Sequence, residues 1–232
     1  MEEENGLSRL PDWQPLRDRA YDAIKAAILS LSLKPGEPLI ERNLAARLGI
    51  SKTPIRGALV RLEREGLVTM TPFKGAVVAG IYKEDIREIF ELREAIEGLA
   101  ARKATAAITE EDLQEGERLL KMAEEALEQG RYHECSKFGS DIHNIIIERA
   151  GNERLASILC NLDDHYQRFR LVSAQIPGRL ARSAEEHRGI LEAMKAQDAD
   201  LAEARMRAHL RGALDELMRQ ENIESLPERG QS

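Results

Sequence analysis

The stretch that decides the fold is ERNLAARLGISKTPIRGALVRLEREGLV, residues 41–68. Apolar residues recur at helical spacing on both sides of a predicted tight turn at 49–51. Ser51 is a suitable N-cap for the second of these helices, and Pro54 lies in its first turn, where a missing N–H removes no intrahelical hydrogen bond. Gly66 then ends that helix. Two helices joined by a glycine-containing turn are typical of DNA-binding helix-turn-helix units.

The residues on either side of this stretch complete a winged unit. The patterns predict a first helix at 16–31, a break at Pro35-Gly36, β-like runs at 67–71 and 76–80, and a hairpin turn at 72–75. We therefore expect a winged helix-turn-helix domain at 15–80, preceded by a polar tail at 1–14.

Charge is distributed unevenly along the chain. The whole sequence has a formal charge of −7. Residues 17–80 contain 11 Lys and Arg against 6 Asp and Glu, whereas residues 81–232 contain 22 against 31. A small basic unit joined to a larger acidic one indicates that the first binds an anion and that the second has another task.

Composition excludes several classes of protein. The 232 residues are 42% hydrophobic and 32% charged, which is typical of a globular chain and not of a disordered one. No apolar run approaches the roughly 18 residues of a membrane span, and residues 1–10 lack the apolar core of a secretory signal. Cys135 and Cys160 are too few for a disulfide framework. We expect a cytoplasmic protein that contacts no membrane.

Exposed polar residues near the start of the second motif helix predict how DNA is contacted. If this helix enters the major groove, Lys52, Thr53 and Arg56 face the bases. The guanidinium of Arg56 could form paired hydrogen bonds with a guanine edge. Arg42 suits a backbone phosphate, and Lys74 in the wing suits a phosphate or the minor groove.

These motifs resemble the DNA-binding domain of GntR-type bacterial transcription regulators. The resemblance covers residues 16–80 and is carried, in order, by PGEPL (35–39), LAARLGIS (44–51), TPIR (53–56), LEREGLV (62–68) and the wing KGAVVA (74–79). It implies operator contacts by Arg42, Lys52, Thr53 and Arg56, with Gly75 at the wing tip. Lys52 stands where the family usually has Arg, and Asn43 and Gly57 stand where Glu is common. A glycine inside the recognition helix costs about 1 kcal/mol relative to alanine.

From Lys83 onwards the sequence shows helical periodicity and no strand pattern. Helices are predicted at 83–107, 109–129, 131–150, 152–173, 178–197 and 198–221, with Thr109 and Asp198 as N-caps. Connections this short indicate antiparallel neighbours. The expected fold class is mainly α, with an all-α antiparallel bundle at 81–221 and a C-terminal tail at 222–232.

Several polar residues fall on the apolar stripes of these helices. His143, His187 and His209 lie on three different helices, each with apolar neighbours one turn away. Because unpaired buried polar groups are unfavourable, a metal ion that binds all three imidazoles is one explanation, and separate hydrogen bonds are the other. Arg93 either pairs with Glu97 or reaches the surface, or it anchors a ligand carboxylate.

The second domain resembles the FCD ligand-binding domain of the FadR-type branch of the same family. The resemblance is carried by FELREAIEGLAARKA (90–104), IHNIIIERAGNERL (142–155) and EEHRGILEAMKAQDADLAEARMRAHL (185–210). It implies a Zn²⁺ or Ni²⁺ site at His143, His187 and His209 and a small organic acid as effector. The Asp that usually precedes the first His by one turn is Gly139 here. His165, water or the effector itself would then complete the coordination.

The leading hypothesis is a ligand-responsive transcription regulator that binds a near-palindromic operator as a homodimer and senses a small carboxylate effector in the bundle. A metal-free regulator with a purely structural dimerisation bundle is one alternative. A zinc hydrolase is another, although the sequence has no HExxH, no Gly-rich phosphate loop and no nucleophile elbow, so we expect no enzymatic activity.

Overall fold

A computed structural model describes residues 15–71, 75–174, 176–220 and 223. The chain divides into two compact units between Gly80 and Ile81. The elements of the first are α1 (Leu16–Leu29), α2 (Glu41–Leu48), α3 (Lys52–Arg64), β1 (Val68–Thr71) and β2 (Gly75–Val78). Those of the second are α4 (Lys83–Thr105), α5 (Glu110–Glu128), α6 (Tyr132–Arg149), α7 (Glu153–Ser173), α8 (Arg179–Lys195) and α9 (Ala199–Met218). The predicted class, mainly α with a small wing, is confirmed.

The first unit is a helix-turn-helix packed on α1. Its core includes the fully buried Ile24, Ile28, Ile55, Leu62 and Leu67. Gly49 ends α2 with φ of 66°, a left-handed conformation that is unfavourable for residues with a Cβ. Ser51 precedes α3 in an extended conformation, as an N-cap does, but its side chain makes no capping hydrogen bond. The predicted position is therefore right, and the predicted bond is not formed.

The wing is a two-stranded antiparallel sheet. Val68 pairs with Val78 and Thr71 pairs with Gly75, so β2 begins and ends slightly earlier than the predicted run at 76–80. Lys74 lies outside the described residues, as does the predicted tail at 1–14. The predicted C-terminal tail at 222–232 also lies outside them, apart from residue 223.

The second unit is the predicted all-α bundle. Each predicted helix is present, and no end differs by more than three residues. Thr109 and Asp198 are the N-caps of α5 and α9, because their side chains accept hydrogen bonds from the backbone N–H of Asp112 and Leu201. No helix in the described part of the chain is long and apolar enough to cross a membrane.

The bundle interior contains an unusual set of buried polar side chains. They come from α4, α6, α8 and α9 and include Arg93, Glu97, His143, Arg179, His187 and His209, none of them more than 6% exposed. Charged residues are rarely buried to this extent unless they are paired. This polar layer marks the part of the bundle where a functional site is to be sought.

Candidate functional site

The predicted DNA-contacting residues of α2 and α3 lie on the surface of the first unit. Arg42, Lys52, Thr53 and Arg56 are all exposed. Arg56 is already engaged, because its Nε and Nη2 each donate a hydrogen bond of 2.9 Å to the Glu41 carboxylate. This pairing lowers the pKa of Glu41, chiefly through the hydrogen bond from Arg56. Glu41, the first residue of α2, thus holds the Arg56 guanidinium with its Nε and Nη2 donors side by side.

A concave surface along α3 extends this set of cations. We call it the cationic groove, and its lining residues are Arg17, Thr53, Arg56, Gly57, Val60, Arg61 and Arg64. A Cβ added at Gly57 would lie 2.8 Å from Cδ of Arg17, so the glycine makes room for this α1 side chain to lie across α3. The guanidinium of Arg61 stacks 3.6 Å from the centre of the Tyr21 ring, which holds it in place.

In the second unit, the structure brings together the three predicted histidines. His143 on α6, His187 on α8 and His209 on α9 each offer a ring nitrogen, and these atoms lie within 4.8 Å of one another. The Nε2 atoms of His143 and His187 are 2.9 Å apart. All three residues are buried. This imidazole cluster can hold a metal ion.

Two carboxylates, the buried Glu97 and the partly exposed Glu186, fix which nitrogen of His143 and of His209 faces the cluster. Glu97 binds Nδ1 of His143, and Glu186 Oε2 lies 2.6 Å from Nδ1 of His209. Because an ionised carboxylate only accepts hydrogen bonds, Nδ1 carries the proton and Nε2 keeps its lone pair. Metal-binding histidines in proteins are oriented in this way by a carboxylate on the other nitrogen.

Electrostatics favour the neutral form of two of the imidazoles and the charged form of Glu97. Burial, followed by the neighbouring imidazoles, holds the pKa of His187 and His209 well below the ordinary value. Neutral imidazole is the form that binds metal. Burial alone would raise the pKa of Glu97, but Arg93 and then His143 outweigh it and hold that pKa at about 2.

Gly139 lies directly beside the cluster. A Cβ added there would be 3.1 Å from Cε1 of His187. Among the described residues, no carboxylate, cysteine or further histidine joins the three ring nitrogens, and this includes His165. The described residues therefore supply three donors and leave the side next to Gly139 open.

The open side faces a cavity of about 60 Å³. One water needs roughly 10–15 Å³ by this measure, so the cavity accommodates a small ligand of a few heavy atoms. Its polar lining consists of the imidazole cluster, the serines 136, 140, 173 and 183, the arginines 93, 170 and 179, and Tyr166. Such a lining suits an anionic ligand with hydroxyl groups.

Arg93 lines this cavity but is already paired. Its Nε lies 2.7 Å from Oε1 of Glu97, its Nη1 lies 3.6 Å from Asp163, and its guanidinium stacks 3.7 Å from the centre of the Tyr166 ring. The predicted pairing with Glu97 is therefore observed. The predicted role as an effector anchor stays a prediction.

Known families match both units. Residues 16–78 match the family described as "Bacterial regulatory proteins, gntR family", and residues 88–212, more than half of the chain, match the FCD domain. The chain belongs to the GntR family, and its second unit is an FCD domain. The predicted family is thus confirmed, and with it the coarse function of a DNA-binding transcription regulator.

Individual GntR-family proteins resemble the chain over most of its length. The HTH-type transcriptional repressor RspR of Escherichia coli strain K12 is 26% identical over 217 residues, which cover 93% of this chain and 95% of RspR. The regulator McbR of the same strain is 30% identical over 179 residues, covering 73% of this chain and 77% of McbR. The solved structure of E. coli McbR/YncC aligns with a TM-score of 0.74 at 26% identity, and the alignment covers 90% of this chain and 99% of the McbR/YncC chain.

Sequence reasoning missed several polar residues of this GntR-family protein. It did not place Arg17, Arg61 and Arg64 beside the recognition helix, or Arg170 and Arg179 in the cavity. A signal for one of these was available, because Asp163, Tyr166 and Arg170 are spaced three and four residues apart, which puts them on one face of α7. No comparable signal marks Arg179, which follows Pro177-Gly178 and starts a helix.

Proposed function

We propose that this GntR-family protein is a ligand-responsive regulator whose FCD domain binds a small organic acid beside a metal ion. The observation that carries the proposal is the buried imidazole cluster, which is oriented by carboxylates and opens into a polar cavity. A purely structural core has no need for three converging imidazoles.

On the DNA side, α3 enters the major groove and the cationic groove follows the phosphate backbone. Arg56 reads a guanine with the same two-pronged donor edge that now binds Glu41, because guanine O6 and N7 accept as a carboxylate does. Lys52 and Thr53 contact neighbouring bases or phosphates, and Arg42 contacts a phosphate. The wing, with Lys74 and Gly75, contacts the adjacent backbone or minor groove.

In the FCD domain, Nε2 of His143, His187 and His209 would hold Zn²⁺ or Ni²⁺, which are metals that accept imidazole donors. A bound metal would supply a positive charge and an open coordination position for an oxygen ligand. Gly139 leaves the adjacent side of the cluster free of protein side chains, so a carboxylate or hydroxyl oxygen of the effector would be able to reach such a metal there. This arrangement favours a hydroxy acid or a sugar acid.

The protein acts as a homodimer on a near-palindromic operator, since two recognition helices about one DNA turn apart are needed to read two half-sites. Effector binding changes operator affinity through a reciprocal coupling of typically 1–3 kcal/mol. Catalysis is disfavoured, because the carboxylates nearest the cluster, Glu97 and Glu186, are hydrogen-bonded to imidazoles and neither is free to act as a general base.

The test is metal analysis of the purified full-length protein, combined with thermal unfolding in the presence of hydroxy and sugar acids. We expect bound zinc or nickel and a higher melting temperature with at least one acid. One observation favours the metal-free alternative: the 2.9 Å contact between His143 Nε2 and His187 Nε2 satisfies both rings without a metal. Protein without metal that no acid stabilises would support a structural bundle instead.

A further inference from the structure

The cavity beside the imidazole cluster contains three arginines whose charges are balanced differently. Two of them each have two acidic partners, namely Glu97 and Asp163 for Arg93, and Glu186 and Glu216 for Arg179. The third, Arg170 on α7, makes no ion pair with any carboxylate in the described part of the chain. A cation partly removed from water is unfavourable without a counter-charge.

The hydrogen bonds of Arg170 show which part of its guanidinium is available. Its Nη1 donates to Oγ of Ser140. The Ser140 hydroxyl in turn donates to the carbonyl oxygen of Ser136 at 3.4 Å, so its oxygen is the acceptor for Arg170. The Nε atom is buried and has no hydrogen-bond partner. The edge formed by Nε and Nη2 is therefore unused.

This unused edge has the geometry that binds a carboxylate with two parallel hydrogen bonds. The chain itself provides an example, since Arg56 uses Nε and Nη2 to bind Glu41. Ser140, which holds the other end of the Arg170 guanidinium, lines the same cavity as Gly139, where the cluster is open. The free edge and the open side of the cluster thus border the same cavity.

We propose that Arg170, and not Arg93, is the residue that anchors the carboxylate of the acidic effector. The ligand carboxylate takes the Nε and Nη2 edge of Arg170, and the cavity serines bind its hydroxyl groups. Arg93 keeps its acidic partners and serves to hold Glu97 against His143. This inference rests on the proposed function of the FCD domain as an acid sensor.

The experiment uses acetate as the smallest carboxylate probe and acetamide as its neutral counterpart of the same shape. Thermal unfolding of the dialysed full-length protein is followed at increasing probe concentration. We expect acetate to raise the melting temperature of the wild type and acetamide to leave it unchanged. The variant R170M should weaken the acetate response by about tenfold or more, because a charge-assisted pair of hydrogen bonds is lost.

Two further variants distinguish a binding role from a structural one. R170K keeps the charge without the two-pronged edge, so its acetate response should lie between those of wild type and R170M. R154M removes an exposed arginine from the same helix and should respond as wild type does. Without acetate, R170M should unfold at the wild-type temperature or above it, since removing a partly buried cation that has no carboxylate partner removes a desolvation penalty.

The outcomes distinguish the role of Arg170 from the proposed acid-sensing function of the FCD domain. If acetate stabilises wild type and R170M equally, the role of Arg170 is wrong and the acid-sensing function stands. If acetate does not stabilise the wild type, both are wrong. If R170M is strongly destabilised without acetate, Arg170 is a structural residue, and the proposal for it fails.

Discussion

The two units of this protein use arginine in opposite ways. In the DNA-binding unit the cations are on the surface, and the Arg56 side chain is 70% exposed although it is paired. In the FCD domain Arg93 and Arg179 are at most 5% exposed, and each is enclosed by carboxylates. An exposed ion pair separates readily in water. The attraction within a buried ion pair is stronger, because the effective dielectric constant around it is lower. Surface arginines can therefore exchange a protein carboxylate for DNA, whereas buried arginines keep their carboxylate partners.

The largest effect expected from this difference concerns the loss of an acidic partner. Glu97→Gln removes the nearer of the two acidic partners of the buried Arg93 and replaces the charged acceptor of His143 with a neutral amide, so it should destabilise the protein by about 3–5 kcal/mol. Glu41→Gln, the matched change at the surface, should leave the stability almost unchanged. Urea unfolding of both variants measures the difference, and equal effects would contradict the comparison.

Metal binding should depend on the three buried imidazoles and on the carboxylates that orient them. His143→Ala should remove most of the bound metal, because it deletes one of three donors. Glu186→Gln, which leaves the donor but replaces the charged acceptor that orients His209 with a neutral amide, should weaken metal affinity about 10–100-fold. Metal titration and elemental analysis provide the measurement.

The control for this experiment is His133→Ala, which changes an exposed histidine on the same helix as His143. It should retain the full metal content. Unchanged metal content in His143→Ala would show that the imidazole cluster is not the metal site.

The ability of the protein to distinguish one DNA sequence from another should depend on the exposed Arg56. Arg56→Ala should lower the preference for the operator over a single-base variant by about ten- to a hundredfold, because a two-pronged contact to one base is lost. Competition binding at fixed salt measures this ratio. Arg19→Ala, at an exposed position of α1, is the control and should keep the preference. An unchanged preference in Arg56→Ala would remove this residue from base reading.

The smallest effect concerns Gly57 and Arg17. Gly57→Ala should stabilise the protein by up to about 1 kcal/mol through helix propensity. It should also weaken DNA binding slightly at every sequence, because the new Cβ displaces Arg17 from the cationic groove. Arg17→Met should reduce the slope of log affinity against log salt by about one.

A double-mutant cycle joins these two changes. Once Arg17 is replaced by Met, Gly57→Ala should no longer affect DNA affinity, although it should still raise stability. Additive losses of affinity would mean that Arg17 and Gly57 act independently.

The sequence determined much of this protein before any packing was known. Helix ends are determined by residues close in sequence. Thr109 and Asp198 cap the helices that follow them, and Gly49 takes a left-handed conformation that is unfavourable for other residues. The apolar stripes placed His143, His187 and His209 inside the bundle, and motif order indicated the family. For the histidines, periodicity was sufficient, since it indicates which face of each helix is buried.

Only the tertiary structure decided which charged groups meet. Glu97 and His143 are 46 residues apart, and Glu41 and Arg56 are 15 apart on two helices. Periodicity gives the buried face of a helix but not how it is rotated or shifted against its neighbours, and a shift of one turn would pair each group with another partner. The state of Arg170, beside Ser140 and with one edge unused, is likewise a product of packing. Side-chain partners across helices depend on angstrom-scale placement, which the order of residues along a single helix does not encode.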